Sequence, residues 1–212
     1  MKATIRKNLI LSVPILIIFS ICLIVNGINS HRLSDEEIAV LREQYPVCGV
    51  DVPEGISMKK ASINEVKSAA ETFVYGEVVG DMKTYSVKLS TGNSMLDQKR
   101  ENNGISEEYD FYEYTISVIS DTEGKKEKGE NLTITANKIF KNYNPQLREG
   151  MKIVVPVVTD DDNQTRNHYI VDGMYYVTED GYAISAFEES TVYSRKLKSG
   201  VKVEELLKEL KK

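Results

Sequence analysis

YEYTISV, residues 112–118, decides the fold: Tyr112, Tyr114, Ile116 and Val118 alternate with Glu113, Thr115 and Ser117. A period of two places one set of side chains on a core and the other in water, the mark of a half-buried strand. The pattern extends in both directions. Tyr85, Val87 and Leu89 alternate with Ser86, Lys88 and Ser90, and Leu132, Ile134 and Ala136 alternate with Thr133 and Thr135. Gly92, Gly104, Gly124 and Gly129 punctuate the connections. Upstream, TFVYGEVV (72–79) is β-branched and aromatic, as strands prefer. Downstream, KIVVPVV (152–158) is a further strand, in which Pro156 removes a ladder donor and so predicts an edge position or a bulge. Three short strands follow over 168–171, 174–178 and 182–187, the last two joined by the hairpin signal Glu179-Asp180-Gly181.

Seven or eight closely spaced strands without regularly intervening helices predict an antiparallel barrel or sandwich. Short helices flank it. Ser34…Glu37 and Ser62…Glu65 are capping-box pairs that open helices over 35–44 and 62–71. Ile38, Leu41 and Tyr45 form an apolar stripe on the first, expected to dock on the following domain. Residues 46–61, with Pro46, Gly49, Pro53 and Gly55, read as a linker or irregular arm. Val203, Leu206, Leu207 and Leu210 mark a C-terminal amphipathic helix within 191–212.

The N-terminus adds a different element. LILSVPILIIFSICLIV (9–25) carries no charge, and 13 of its 17 residues are Leu, Ile, Val or Phe. On the insertion scale these favour the bilayer by about 6 kcal/mol before Ser12, Pro14 and Ser20 subtract. Extended to residue 28, the run spans about 30 Å as a helix, one hydrocarbon thickness. We expect an uncleaved signal anchor at 9–28, contacting membrane lipid. The competing reading is a cleaved signal with a weak site at Val25-Asn26-Gly27. Lys2, Arg6 and Lys7 outweigh the lone Arg32 on the other flank, which keeps a cytoplasmic stub at 1–8 and exports the rest. Cys22 within the run reads as a small hydrophobe, and Cys48, the only other Cys, as a buried thiol or a bridge to a second chain.

The helix-to-strand run 62–78, with LREGMKIVVPV (147–157), HYIVDGMYYV (168–177) and EDGYAISAF (179–187), resembles exported membrane-anchored proteins of Gram-positive bacteria that carry a small OB-like β-barrel. The resemblance covers about residues 62–190 and implies a mainly β fold. These motifs are strand and turn grammar, and the resemblance implies no catalytic residues.

The 212 residues carry 27 Lys and Arg against 32 Asp and Glu, and beyond residue 28 the balance is 24 against 32. A net-acidic ectodomain repels phosphate backbones, so nucleic acid is not an expected partner. Catalytic constellations are scarce. His31 reads as solvated, and His168 as a strand-end residue; a hydrolase would have to join His168 to a Ser such as Ser185 and an acid such as Asp172, without a G-x-S-x-G elbow. Asp160-Asp161-Asp162-Asn163-Gln164 supplies hard oxygen ligands, but an EF-hand loop begun at Asp160 would need Gly and Glu where Thr165 and Val171 stand. Ser106-Glu107-Glu108-Tyr109-Asp110 reads as a solvated acidic cluster, and phosphate-loop and zinc motifs are missing from the sequence. OB-like barrels bind ligands on one sheet face; Tyr109, Phe111, Tyr112, Tyr114, Tyr175 and Tyr176 are the aromatic candidates, about half of them destined for the core.

The expectation is a non-enzymatic, membrane-tethered extracytoplasmic module with no cofactor, no metal and no catalytic residue, binding a protein partner in a cell-envelope assembly. The alternatives are a secreted binder of a small ligand or Ca²⁺, and an extracytoplasmic hydrolase using His168.

Overall fold

The computed structural model describes residues 32–59, 61–88, 90–104, 108–159, 166–187 and 199–212. Within them lie α1 (Asp35–Leu41), α2 (Ile63–Ala69), β1 (Thr72–Lys88), α3 (Ser94–Asn102), β2 (Glu108–Asp121), β3 (Asn131–Asn137) and β4 (Lys152–Thr159). They are followed by β5 (Asn167–Tyr169), β6 (Tyr175–Val177), β7 (Tyr182–Ser185), β8 (Val201–Lys202) and α4 (Val203–Leu210). The chain is thus mainly β over the described residues. No described helix is long and apolar enough to cross a membrane; the stub 1–8 and the expected anchor 9–28 lie outside the described residues.

The strands form one sheet in the order β1-β2-β3-β5-β4-β6-β7-β8, and β4 pairs back onto β1. Strands β1, β2, β3, β5 and β4 therefore make a closed circuit of pairings. An odd circuit cannot alternate direction throughout, so one pair must be parallel. That pair is β3–β5, with Ile134 opposite Asn167 and Thr135 opposite His168. The expected all-antiparallel sheet is corrected at this one place, and parity is the reason.

Pro156 is neither on an edge strand nor at a bulge of its ladder with β1. One side of β4 pairs β1 from Lys152 to Val157. On its other side β6 pairs residues Lys152 to Val154 and β5 pairs Val157 to Thr159. Pro156 sits in the seam between those two partners, where its carbonyl accepts the Ile170 N–H at 3.1 Å. A strand residue aims its N–H and C=O the same way, so the donor that proline lacks faces the seam and the β1 ladder stays whole.

The two strands expected near 72–79 and 85–89 are one. β1 runs through both, bending at a register shift between Val79 and Lys83, where Gly80 takes a φ of +71°. Past Val79 it pairs β2 alone, as a two-stranded ribbon. α3, between the two ribbon strands, was not expected from periodicity, because none of its residues is buried. Its signal is local: the Asn93 side chain accepts the N–H groups of Met95 and Leu96.

Two apolar clusters hold Ser34–Lys212 together as one compact unit. The first lies within the circuit and gathers Val74, Ile116, Ile134, Ile153, Val155 and Tyr176; Ile38 and Leu41 of α1 pack against it. Arg42 ties α1 down by donating to the Ser185 carbonyl at 2.7 Å. The irregular arm after α1 also lies against this cluster, for Cys48 N–H donates to Ala186 O and Gly49 N–H to Tyr143 O, both at 2.8 Å. The second cluster packs α2 and α4 over Phe73, Val154, Tyr175 and Val177. Neighbours Phe73 and Val74, Val154 and Val155, and Tyr175 and Tyr176 thus point into opposite clusters. A strand covered on both faces needs no polar side, which is why KIVVPVV reads as an unbroken apolar run. Lys67 of α2 donates to the Glu209 and Lys211 carbonyls at 3.0 and 2.8 Å, closing the C-terminal end of α4.

At the end of β4, the Thr159 hydroxyl donates to the Glu71 carboxylate. That bond is the main force holding the Glu71 carboxyl below its usual value of 4.5, with burial opposing it and Lys126 and Lys125 assisting. A depressed carboxyl contributes stability above its unfolded pKa and loses it as pH falls through the folded value. Wild type should therefore melt above Glu71→Gln at neutral pH, and the gap should close as pH falls below 4.5. Melting curves from pH 7 to pH 3 check this; a gap that persists in acid would refute it.

Candidate functional site

On β2, Tyr112 and Tyr114 are buried while Phe111 and Glu113, which alternate with them, face the other way. Pairing extends that outward row across four strands. Tyr85 stands opposite Phe111, Glu113 opposite both Lys83 and Thr135, and Thr135 opposite His168. The Tyr85 and Phe111 rings stack with centroids 5.3 Å apart and planes 14° from parallel. The Arg166 guanidinium lies over Tyr85 at 4.3 Å, and its Nε donates to Glu113 Oε2 at 3.0 Å. Arg166, immediately before β5, thus reaches across the outer face to the β1–β2 ribbon. Nearby, Lys138 Nζ donates to Asp110 at 3.2 Å. The Ser86 hydroxyl first, then Lys138, holds the Asp110 carboxyl below the usual carboxylate range.

Beside this row a cleft of about 410 Å³ opens between the sheet and the arm preceding α2. Met58, Ala61, Phe111, Phe140 and Ile170 give it apolar walls; Thr135, Asn137, His168 and Asp172 supply polar groups. Asp172 is only 9% exposed and its Oδ2 accepts the Ala61 N–H at 2.5 Å, which fixes the arm over the cleft. Burial pushes the Tyr143 phenol on the wall up to about 12, with Asp172 adding to the shift. The arrangement can stack a flat or apolar group against Phe111 and Phe140 while hydrogen-bonding it from the rim.

His168 is exposed, with Nδ1 and the Thr135 hydroxyl 3.2 Å apart. It shares the cleft with Asp172, but Ser185 lies outside it on β7, its hydroxyl donating to Phe187 O and accepting Phe187 N–H. The Cys48 thiol is buried and donates to Ala186 O at 2.6 Å. Burial pushes its pKa up to about 12, the opposite of what a nucleophilic or metal-binding thiolate needs. Of the six aromatic candidates, Tyr112, Tyr114, Tyr175 and Tyr176 belong to the core, and Phe111 and Tyr109 remain accessible. Tyr85 joins Phe111 instead; its alternation was visible, but the pairing register that brings the two rings together was not. Among the described residues no cluster of His, Cys, Asp or Glu is arranged to hold a metal ion. His31, Cys22, the run 160–164 and Ser106-Glu107 lie outside the described residues.

No protein-family model matches the chain, and no curated protein matches it.

Proposed function

We propose that this chain is a membrane-tethered extracytoplasmic binding module, not an enzyme. In this reading residues 9–28 anchor an OB-like β-barrel outside the bilayer, and the barrel engages a protein partner of the cell envelope through the outer face of β2 and β3. The observation that carries the reading is the stacked Tyr85–Phe111 pair, with Arg166 lying on it, beside an open and mostly apolar cleft. OB-like barrels recognise ligands on the face of strands 2 and 3, and here Phe111 of β2 stands opposite Asn137 of β3 on the wall of that cleft. The closed circuit of five pairings, with β3 and β5 parallel, supports the barrel, and the uncharged run 9–25 supports the tether. Arg166 and Lys138 on the face are each already paired, with Glu113 and Asp110. A phosphate backbone would have to break both pairs, which supports a polypeptide partner over nucleic acid.

The test places a photo-crosslinking amino acid at position 111 or, as a control, at exposed position 205 of α4, in the full chain expressed in its own cells. A discrete membrane-fraction adduct is expected from 111 and not from 205, reduced at least tenfold by Tyr85→Ala together with Arg166→Ala. Equal labelling from both positions, or a protein protected in the cytosol from protease added outside, would sink the proposal.

A further inference from the structure

Past Val79, β1 keeps β2 on one side and loses its neighbour on the other. Its pairing with β4 ends at Glu77. The turn before β4 then accompanies it briefly: Val78 N–H donates to Met151 O at 2.8 Å, Gly150 N–H to Val78 O at 2.9 Å, and Gly80 N–H to Glu149 Oε1 at 3.2 Å. Over 83–87 β1 pairs only with β2 among the described residues, and these positions are exposed or half-buried. In a paired strand, alternate residues turn their N–H and C=O groups away from the partner. The other side of β1 therefore presents a row of backbone donors and acceptors about 16 Å long. The side chains beside this edge form a pattern. Opposed residues of an antiparallel pair share a face, so Lys83 with Glu113, Tyr85 with Phe111, and Val87 with Tyr109 make one row on the outer face of the ribbon. Glu113 is engaged by Arg166 at 3.0 Å, whereas Lys83 forms no ion pair among the described residues. Tyr85 and Val87 are half-buried, and Tyr109 beyond them is 42% exposed. Along the edge come one cationic position and then two apolar ones.

We infer that the edge of β1 over 83–87 takes up an extended segment of a partner protein as an added antiparallel strand, with a carboxylate opposite Lys83 and apolar side chains opposite Tyr85 and Val87. The edge itself specifies this occupant. Alternating donors and acceptors at strand spacing are matched by another extended backbone, and pockets for alternate side chains then set specificity. The antiparallel direction is the more stable pairing per residue. The added strand extends the row that leads to the cleft, since Phe111 both stands opposite Tyr85 and walls that cleft. A second copy of this chain fits less well. Two-fold antiparallel pairing of edges keeps both outer faces on one side, which brings Lys83 and Arg166 of each copy together as like charges. The inference rests on the reading of this face as the partner-binding face and specifies how the partner is held.

The probe is the end-blocked peptide Ser-Val-Thr-Val-Thr-Glu-Ser, written to run antiparallel to β1 with its Glu opposite Lys83 and its two Val opposite Tyr85 and Val87. Titrated into the full chain in detergent and followed by amide NMR, it should shift amides 83–87 and protect them from exchange. Replacing its Glu by Lys should weaken binding at least about threefold, Lys83→Glu should do the same to the original peptide, and the two reversals together should restore it. N-methylation of one alternate set of peptide amides should abolish binding and of the other set leave it, as a strand docked by one edge requires. No shift at millimolar peptide, equal binding of both charge forms, or equal effects of the two methylated sets would overturn the inference. Protection of 83–87 that rises with protein concentration in the absence of peptide would also overturn it, by giving the edge to a second copy. Failure here is distinct from failure of the wider reading. A cross-link from position 111 that survives Lys83→Glu undiminished would sink strand addition alone, whereas peptide held at the edge with no adduct from 111 would support strand addition and sink the wider reading.

Discussion

Phe73→Ala should cost about 3–5 kcal/mol of stability, near the top of the range for a single substitution. Phe73 is 0% exposed and stands in the cluster formed with Val66 of α2, Ala70 just beyond it, Tyr175 of β6, and Leu206 and Leu210 of α4. The cavity left behind would therefore border three elements at once. α4 is only eight residues long, too short to be stable in water without tertiary contacts. It depends on Val203, Leu206 and Leu210, its three buried side chains. Loss of the Phe73 ring should loosen α4 before the circuit itself opens. Denaturant unfolding of the full chain measures the first effect, and hydrogen exchange at residues 203–210 the second. Val40→Ala is the control: Val40 is 74% exposed, and its change should stay within about 0.5 kcal/mol. A Phe73 variant costing as little as Val40→Ala would mean that α2 and α4 add nothing to the core.

The same cluster explains what could and could not be read in the sequence. Signals that act within a few residues were legible. Both capping boxes form, Ser34 with Glu37 and Ser62 with Glu65, and Glu179-Asp180-Gly181 does join β6 to β7, with Gly181 N–H donating to Thr178 O. The alternation around Tyr112 gave β2 its inward and outward sides, because only one of its faces is deeply covered. That rule fails where both faces are covered, so Tyr175 and Tyr176 could not be sorted into core and platform. Both are core, on opposite sides of one strand. The parallel β3–β5 pair was equally hidden. It follows from closing an odd circuit, and closure depends on β4 meeting β1, about eighty residues apart. The candidate site suffers most from this. Tyr85, Phe111 and Arg166 come from three distant segments; the register of β1 against β2 joins the first two, and the pairings of β2 with β3 and of β3 with β5 bring in the third.

Closure also sets where the chain tolerates least change, and Gly76→Ala should cost about 3 kcal/mol. Gly76 pairs with Val118 of β2 and with Ile153 of β4, so it lies where the circuit is joined on both sides of β1. A register shift between Tyr75 and Gly76 brings β2 close at this point. A Cβ here would lie 2.5 Å from Ile116 Cγ2 and 2.7 Å from the Ser117 carbonyl oxygen. The side-chain contact could ease by rotation, but the carbonyl belongs to the partner strand's backbone and can withdraw only if β1 and β2 separate. Gly80, four residues on in the same strand, poses the contrary problem. Its φ of +71° is strained for any other residue, yet nothing lies within 4 Å of an added Cβ. Gly80→Ala should thus cost only the left-handed penalty, about 1–2 kcal/mol. Denaturant midpoints for the two variants compare proximity against backbone conformation in one strand. The order predicted is Gly76 worse than Gly80; the reverse order would mean that β1 and β2 are not pressed together where β1 also meets β4.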